Sequence, residues 1–321
     1  MSQPTEPARA AVHTRHVVVV NAPAQEVFKT VADVKRWPYT FGPTVYAEVL
    51  DSTGDAERLR LWAFANGEVR MWTSRRVLDP ESLQVAFEQE VPAIPVRSMG
   101  GEWRLEPLTD NTTRVELLHD FTAASAEAEE LIGRAVETNS TAELAALGRT
   151  AERGSAGAAE VLEFEDSVDI NASADAVYGF LRDAASWPRR LPHVARLDLT
   201  EEPNGVQLMV MDTRSTDGSL HTTKSVRVCL PERWTIAYKQ TVTPPIMAAH
   251  VGRWMVVPHG PGIRATSHHT VVIRPEKVTG VLGPDGTLEQ ARTLIRSVLG
   301  ANSTTTLRHA KTFAEANSSV A

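Results

Sequence analysis

One stretch of this chain occurs twice, about 150 residues apart, and this repeat restricts what the chain can fold into. Residues 20–38 and 170–188 align without a gap, and both copies end in a Trp-Pro pair that begins at Trp37 and at Trp187. The similarity continues at an offset of 151, where Ser74 aligns with Ser225. A repeat period of this size is that of a whole domain, so the sequence predicts a duplicated domain.

The size and composition of the chain agree with two globular domains. The 321 residues leave about 150 for each domain, which is enough for a separate hydrophobic core. The chain has 42% hydrophobic residues and a net charge of −7, which argues against a nucleic-acid binder. Its single cysteine, Cys229, excludes an internal disulfide framework. Since neither a secretion signal nor a long apolar run is visible, we expect a cytoplasmic protein that binds no membrane.

Each copy begins with the same predicted elements. Residues 17–20 are a β-branched run typical of a strand, Pro23 suits the first turn of a helix, and Pro38 marks the loop after that helix. Strands of period two follow at residues 45–50, 58–64, 68–78, 83–90, 99–105 and 113–122. A helix beginning at residue 127 then leads into a segment rich in Gly, Ala and Ser. The second copy ends with a loop at residues 275–287 and a helix at residues 288–316.

This order of elements predicts an α+β protein with two tandem domains, each a curved antiparallel sheet wrapped around a long C-terminal helix. We expect the domains at residues 1–150 and 161–321, with a linker at residues 151–160. A sheet that wraps a helix can enclose a cavity. Asn139 and Asn302 favour a cavity, because they interrupt the apolar stripe of each long helix where a solid core would prefer aliphatic side chains. We expect the second stripe to continue to Phe313.

Two pairs of residues at equivalent places in the repeat are candidates for catalysis. Arg76 and Arg227 each lie within a strand, and a guanidinium inside a cavity would polarise an enolate. Either arginine could equally lie on the solvent face. His119 and His269 lie in the last strand of each domain, where an imidazole could shuttle protons or form a hydrogen-bonded part of the core.

Other residues are candidates for binding a substrate. The indole rings of Trp37 and Trp187 could stack on a planar ligand or act as structural plugs. Asn139 and Asn302 could bind a substrate carbonyl or a water molecule, or could hydrogen-bond to a neighbouring strand. Glu143 could act as a second acid or base, although a solvated position is more ordinary for a helix glutamate. The expected substrate-binding residues are Trp37, Trp72, Ser74, Asn139, Trp187, Ser225, Asn302 and Thr306.

Several common catalytic and cofactor motifs are missing from the sequence. It contains no glycine loop of the G-x-G-x-x-G or Walker type and no G-x-S-x-G nucleophile motif. His268 and His269 have no nearby carboxylate or thiol residues in the sequence, which makes them weak candidates for metal ligands. We therefore expect neither a metal nor a cofactor.

Some of these residues carry a resemblance to a known family. Residues 20–23 (Val-Asn-Ala-Pro), the segment ending at Trp37-Pro38, and residues 65–76, from Asn-Gly to Arg-Arg, resemble the polyketide aromatase/cyclases of bacterial type II polyketide synthases. The two-copy layout is similar to that of the di-domain members. The resemblance implies a helix-grip fold in both domains and a reaction that needs no cofactor.

The resemblance also implies a reaction and a partner. A poly-β-ketone chain tethered to an acyl carrier protein enters the pocket, an aldol reaction closes the first ring between C7 and C12, and loss of water makes that ring aromatic. Other components of the synthase are further expected partners. By the family pattern, Arg76 is the pocket arginine, Trp37 the tryptophan at the mouth, and His119 and His269 the strand histidines. We hypothesise that alanine at both Arg76 and Arg227 abolishes ring formation and leaves the fold intact.

The resemblance leaves several points open. A tyrosine near the entrance of some members falls at Thr44 here. The basic pairs at residues 35–36 and 189–190, beside the Trp-Pro loops, are candidate docking sites for an acidic carrier protein or ordinary surface charges. A non-catalytic carrier of a hydrophobic small molecule could use the same cavity. The sequence does not assign ring closure and aromatisation to one domain or the other.

Overall fold

The structure, a computed structural model, describes residues 10–214 and 218–318. The first six residues, on which the expectation about a secretion signal rests, lie outside these ranges. The chain divides into two compact units, with the boundary between Ser155 and Ala156, and each unit contains one sheet of seven strands. Within the described part of the chain, no helix has the length and apolar character needed to cross a membrane.

The first unit is built on one antiparallel sheet. Its strands are β1 (Val12–Val20), β2 (Thr44–Thr53), β3 (Ala56–Ala65), β4 (Glu68–Asp79), β5 (Gln84–Val91), β6 (Val96–Thr109) and β7 (Thr112–Ala123). Their order across the sheet is β1-β7-β6-β5-β4-β3-β2, so β2 to β7 form a meander and β1 pairs with its last strand. Between β1 and β2 lie the helices α1 (Ala24–Ala32) and α2 (Trp37–Thr40), and α3 (Ala126–Glu160) follows β7.

Local sequence explains this meander. β3 and β4 are joined by Asn66 and Gly67, whose φ angles of 52° and 83° are those that an Asn-Gly hairpin turn adopts. Between β4 and β5, the carboxylate of Asp79 accepts hydrogen bonds from the backbone N–H groups of Glu81 and Ser82, at 3.1 and 2.9 Å. Such short connections keep consecutive strands adjacent and antiparallel.

The second unit repeats the first. Its strands are β8 (Val161–Ile170), β9 (Val194–Glu202), β10 (Val206–Arg214), β11 (Leu220–Leu230), β12 (Thr235–Val242), β13 (Met247–His259) and β14 (Gly262–Ile273), in the order β8-β14-β13-β12-β11-β10-β9. The helices α4 (Ala174–Arg182) and α5 (Trp187–Arg190) follow β8, and α6 (Pro275–Leu282) and α7 (Leu288–Ser318) follow β14.

The hydrophobic core leaves the middle of each long helix free for a cavity. Near the end of α3, Leu147 packs with Val20 and Val27 in one apolar cluster. Nearer its beginning, Ile132 packs with Phe121 in another cluster. The polar residues that the sequence singled out lie on α3 between these two clusters.

Two details of secondary structure and the packing of one side chain differ from the expectation. Residues 151–160, expected to be an irregular linker, continue α3 to Glu160, and Gly154, with a φ of 48°, departs from helical geometry. The loop expected at residues 275–287 contains α6, because Pro275 is a favourable first residue of a helix. Phe313 does not line the inner stripe of α7. It is 37% exposed and packs on Phe180.

Candidate functional site

A cavity lies between the sheet and the long helix of the first unit. Its volume is about 350 Å³, within the range of small-molecule sites. The irregular residues 92–95 contribute Ala93, Ile94 and Pro95 to its lining. All six residues that the sequence predicted for this domain line the cavity: Trp37, Trp72, Ser74, Arg76, His119 and Asn139.

The guanidinium of Arg76 lies in the cavity wall but is bonded to protein groups. The residue is 2% exposed. Its Nε donates to Oε2 of Glu57 at 2.8 Å, its Nη1 to the carbonyl oxygen of Val31 at 3.2 Å, and its Nη2 to that of Ala32. These carbonyls belong to the last turn of α1, where they have no partner within the helix and where the helix dipole favours a cation. Arg76 therefore anchors the C-terminus of α1.

Trp37 completes this anchor. Its ring centroid lies 5.5 Å from the guanidinium carbon of Arg76, and its Nε1 donates to the carbonyl oxygen of Val31 at 3.1 Å. The ring also packs edge-on against Phe41, with centroids 5.7 Å apart. Of the two roles that the sequence left open, these contacts favour the structural plug, although Trp37 also faces the cavity.

His119 presents a neutral imidazole to the cavity. Phe87 lies edge-on to the imidazole, with ring centroids 5.5 Å apart. Burial, with a smaller contribution from His16, lowers the pKa of His119 to about 4. Its Nδ1 has no hydrogen-bond partner among the described residues. A neutral imidazole with an unpaired nitrogen can take or give a proton.

Asn139 and Glu143 lie one turn apart on α3. The Nδ2 of Asn139 donates to the carbonyl oxygen of Phe64 at 2.9 Å, which is the strand contact that the sequence left as an alternative. Glu143 is half-buried in the cavity lining, so the solvated position favoured from the sequence is wrong. Burial raises the pKa of its carboxyl to about 7. Glu143 is therefore a second candidate acid or base in this cavity.

This raised pKa makes the stability of the first domain depend on pH. The ordinary pKa of the Glu143 carboxyl is 4.5, so its stabilising contribution is complete below that pH and is lost as the pH rises through about 7. We expect Glu143→Gln to raise the free energy of unfolding by about 1–3 kcal/mol at about pH 8.5 and to leave it unchanged at about pH 4. Thermal melts at the two pH values measure this difference. An equal effect at both would contradict it.

A second, smaller cavity of about 200 Å³ lies in the second unit. Aromatic and methionine side chains form much of its wall, together with one face of α7. All six residues that the sequence predicted for this domain line it: Trp187, Ser225, Arg227, His269, Asn302 and Thr306.

Arg227 repeats the anchor of the first domain. It is 1% exposed, and its Nη2 donates to the carbonyl oxygen of Leu181, in the last turn of α4, at 2.6 Å. Its Nη1 donates to Oε1 of Gln207 at 2.7 Å, so an amide replaces the carboxylate that pairs with Arg76. The guanidinium carbon lies 5.1 Å from the ring centroid of Trp187. In both domains the repeated Trp and Arg thus serve one structural purpose.

Hydroxyl groups from α7 and from β11 line the second cavity and differ in their bonding. The hydroxyl of Thr306 donates to the carbonyl oxygen of Asn302 at 3.0 Å, so the backbone of α7 holds it. Ser225 is 6% exposed, and its Oγ has no hydrogen-bond partner among the described residues. Of these two hydroxyl groups, that of Ser225 is therefore the one without a partner among the described residues.

A hydrogen-bonded network surrounds His269. Its Nδ1 lies 2.9 Å from the hydroxyl oxygen of Tyr238 and 3.0 Å from Nε2 of His250, and its Nε2 lies 3.0 Å from Oγ of Ser267. The ring stacks on Phe164, with centroids 4.7 Å apart. Burial lowers the pKa of His269 to about 4 and holds that of His250 well below its ordinary value. Both imidazoles are therefore neutral at physiological pH.

Sequence reasoning missed Tyr238, His250 and Ser267. A signal was present in the repeat. At the offset of 151, Tyr238 aligns with Phe87 and His250 with Met99, so the second copy has polar groups where the first has apolar ones. Polar replacements at inward-facing strand positions need hydrogen-bond partners, and comparing the two copies position by position would have found this cluster.

The two cavities offer proton-transfer groups but few fixed charges. Both arginines are bonded to protein groups, the imidazoles are neutral, and Glu143 changes its charge near neutral pH. In residues 10–214 and 218–318, no group of three or more His, Cys, Asp or Glu side chains is arranged to hold a metal ion. The arrangement suits proton transfer to and from a carbonyl compound enclosed by apolar walls.

Two family models match this chain. Both are described as polyketide cyclase / dehydrase and lipid transport, and they match residues 20–146 and 161–315. Two curated relatives match nearly the whole chain. The bifunctional cyclase/dehydratase of the actinorhodin polyketide synthase of Streptomyces coelicolor is 43% identical over 320 residues, which cover 97% of this chain and 98% of the relative. That of the granaticin polyketide synthase of Streptomyces violaceoruber is 42% identical, with 95% and 94% covered.

Two solved structures also match nearly the whole chain. The di-domain aromatase/cyclase BexL from the BE-7585A biosynthetic pathway is 44% identical, with a TM-score of 0.84 and 95% and 99% of the two chains covered. StfQ from the steffimycin pathway, also a di-domain aromatase/cyclase, is 34% identical, with a TM-score of 0.85 and the same coverage. The predicted fold class, two tandem helix-grip domains, is confirmed. Since relatives well above 30% identity cover almost all of it, this chain belongs to the polyketide cyclase/dehydrase family.

Proposed function

We propose that this protein closes and aromatises the first ring of a poly-β-ketone chain held on an acyl carrier protein. Ring closure joins C7 to C12 by an aldol reaction, and loss of water follows. That the chain is an enzyme of the cyclase/dehydratase type rests on named relatives 39–43% identical over most of its length. The similarity to these named enzymes argues against the alternative function, a non-catalytic carrier. The carbon positions and the carrier protein are our proposals.

The observation that carries this proposal is that each cavity places a neutral imidazole in a largely apolar enclosure. A methylene between two carbonyl groups is already acidic, so the enzyme needs chiefly to fold the chain, bring its carbons together and move protons. His119 lines the first cavity, and its neutral imidazole can take a proton from such a methylene. Glu143, with its raised pKa, can return a proton to the oxygen of the attacked carbonyl.

The two buried arginines enter this mechanism mainly as supports. The donors of Arg76 hold Glu57 and the end of α1, and those of Arg227 hold Gln207 and the end of α4. We propose that both position the tryptophan that lines each cavity and add a positive potential to the wall. That potential favours an enolate without a direct bond to it.

Docking of the carrier protein would use the basic residues beside the Trp-Pro segments. Lys35 and Arg189 are exposed, whereas Arg190 is paired with Asp183 at 3.1 Å and lies over the ring of Phe313 at 4.7 Å. Each basic pair therefore offers one exposed positive charge to an acidic partner. The relatives are named as parts of polyketide synthases, which supports a partner from such a synthase.

Reconstitution with a minimal type II polyketide synthase and malonyl-CoA tests this function. We expect the protein to convert the linear chain into a product with an aromatic first ring. We expect His119→Ala to lower the yield of that product about 100-fold, because general acid–base catalysis is worth about 10²–10⁴ in rate. Chromatography with mass spectrometry measures the products.

His13→Ala, at an exposed position of β1, is the matched control and should leave the yield unchanged. A wild-type protein that binds the chain without changing its products would contradict the proposed enzyme and support a carrier. Equal yields from wild type and His119→Ala would show that His119 has no proton-transfer role.

A further inference from the structure

The second cavity contains an acid–base cluster that the first one lacks. Tyr238, His250 and Ser267 meet around His269, whereas the first copy has Phe87 and Met99 at the positions of Tyr238 and His250. Neither Phe nor Met can donate a proton. The two cavities therefore offer different chemistry, although they share one fold.

The hydrogen bonds of this cluster fix where its protons lie. The Nδ1 of His250 is buried and has no partner among the described residues, and an unpaired buried N–H is rarer than an unpaired acceptor. His250 therefore carries its proton on Nε2 and donates it to Nδ1 of His269, 3.0 Å away. His269 then carries its own proton on Nε2, 3.0 Å from Oγ of Ser267, and accepts at Nδ1.

This arrangement leaves two groups for a ligand. The network is complete without the hydroxyl hydrogen of Tyr238, because His250 already supplies the proton that Nδ1 of His269 accepts. The Tyr238 hydroxyl can therefore turn its hydrogen toward the cavity that it lines. The ring of His250 lines the same cavity, and its buried Nδ1 is a basic nitrogen without a partner among the described residues.

The backbone also holds Tyr238 in place. A Cβ atom on Gly252 would lie 2.4 Å from the tyrosine hydroxyl oxygen and 2.5 Å from Cζ, so the phenol ring rests on a strand position that has no side chain. His250 meets the phenol ring edge-on, with ring centroids 5.5 Å apart. The hydroxyl oxygen is therefore held in one place, and only rotation about the C–O bond remains to direct its hydrogen. A positioned proton donor needs this restriction.

We propose that the second cavity is the dehydration site, with Tyr238 as the proton donor to the departing hydroxyl and His250 as the base. This proposal rests on the proposed function. The substrate is the ring-closed β-hydroxy ketone that aldol closure produces from the linear chain.

The step balances within the cavity. Nδ1 of His250 takes the proton from the ring carbon next to the carbonyl, the electrons of that C–H bond form the new C=C bond, and the C–O bond breaks. The hydroxyl leaves as water with the proton of Tyr238. The tyrosinate then regains a proton from Nε2 of His250, 3.4 Å away, with His269 bridging the two groups. His250 is left as its other tautomer, and proton exchange through the released water restores the first.

The variant Tyr238→Phe tests this proposal and turns the position into its counterpart in the first domain. In the reconstituted synthase we expect the aromatic product to fall about 100-fold, with a ring-closed product heavier by one water accumulating instead. His250→Met, which also copies the first domain, should give the same accumulation. Ser267→Ala should cause a smaller loss of about 10-fold, because Ser267 positions His269 and does not line the cavity.

Tyr178→Phe is the matched control. It removes another buried phenol hydroxyl of the same domain that has no hydrogen-bond partner among the described residues and lies outside the cavity lining, so its products should match those of wild type. Circular dichroism melts check that each variant is folded. Unchanged aromatic product from a folded Tyr238→Phe variant, with an active wild-type protein, would overturn the proposal. An inactive wild-type protein would instead overturn the proposed function on which it rests.

Discussion

Replacing Arg76 with alanine is expected to lower the free energy of unfolding of the first domain by about 3–5 kcal/mol. The change would leave the partly buried Glu57 without its cation and the carbonyl of Ala32 without its side-chain donor, and the carbonyl of Val31 would keep only the bond from Trp37. Trp37 would also lose the cation beneath its ring. For a domain of this size, the loss corresponds to a fall in melting temperature of about 10 °C.

Thermal denaturation followed by circular dichroism measures this effect. Arg114→Ala is the matched control, because Arg114 forms an exposed ion pair with Glu106, and removing such a pair changes stability by about 0.5 kcal/mol or less. Arg76→Lys should give an intermediate loss, since it keeps the charge but not the three-way bonding. A melting temperature for Arg76→Ala equal to that of wild type would show that the anchor adds no stability.

The same contacts argue against one part of the hypothesis drawn from the sequence. That hypothesis expects alanine at both Arg76 and Arg227 to leave the fold intact, yet each arginine is almost fully buried and bonded to the end of a helix. Loss of ring formation in that double variant would therefore not identify a catalytic role. Single replacements of His119 and Tyr238 separate chemistry from folding better.

A second large effect is expected from Gly252→Ala. The new Cβ would lie 2.4 Å from both the Tyr238 hydroxyl oxygen and the carbonyl oxygen of His268, so β13 must move away from β14 and the phenol must also move. Overpacking of this kind costs about 1–3 kcal/mol, and we expect the upper end because one of the two atoms belongs to the backbone. Displacement of Tyr238 should also reduce dehydration.

Gly179→Ala provides a control of opposite sign in the same unit. Gly179 lies in α4 with no atom within 4 Å of the place that a Cβ would occupy, and alanine favours a helix over glycine by about 1 kcal/mol. Its melting temperature should therefore rise while that of Gly252→Ala falls. A Gly252→Ala protein as stable as wild type would contradict the close packing of Tyr238 on this strand.

The fold could be predicted largely from the repeat and from the change of periodicity along each copy. Apolar and polar residues alternate with a period of two along β2 to β7, and the Asn66-Gly67 turn fixes one hairpin. The end of α3 was harder to predict. Glycine and serine suggested a linker, but alanine and glutamate in the same segment allow helical structure on both sides of a break at Gly154.

The residues of the site could be located from the sequence, but their bonding could not. Strand period places Arg76 and His119 on the inner face, whereas the carbonyls that Arg76 binds come from a helix more than 40 residues earlier in the chain. No local pattern reports such a contact. Tyr238 and His250 were missed because their importance lies in a distance of 2.9–3.4 Å between three strands.

The separation of the arginine anchor from the polar cluster has a consequence for how such a chain diversifies after gene duplication. The anchor preserves the scaffold of both copies, so it tolerates little change in either one. Positions 87 and 99, and their counterparts Tyr238 and His250, lie outside that anchor and differ between the copies. Two substitutions outside the anchor are therefore enough to give the copies different polar groups on one scaffold, and engineered pathways can exploit the same two sites.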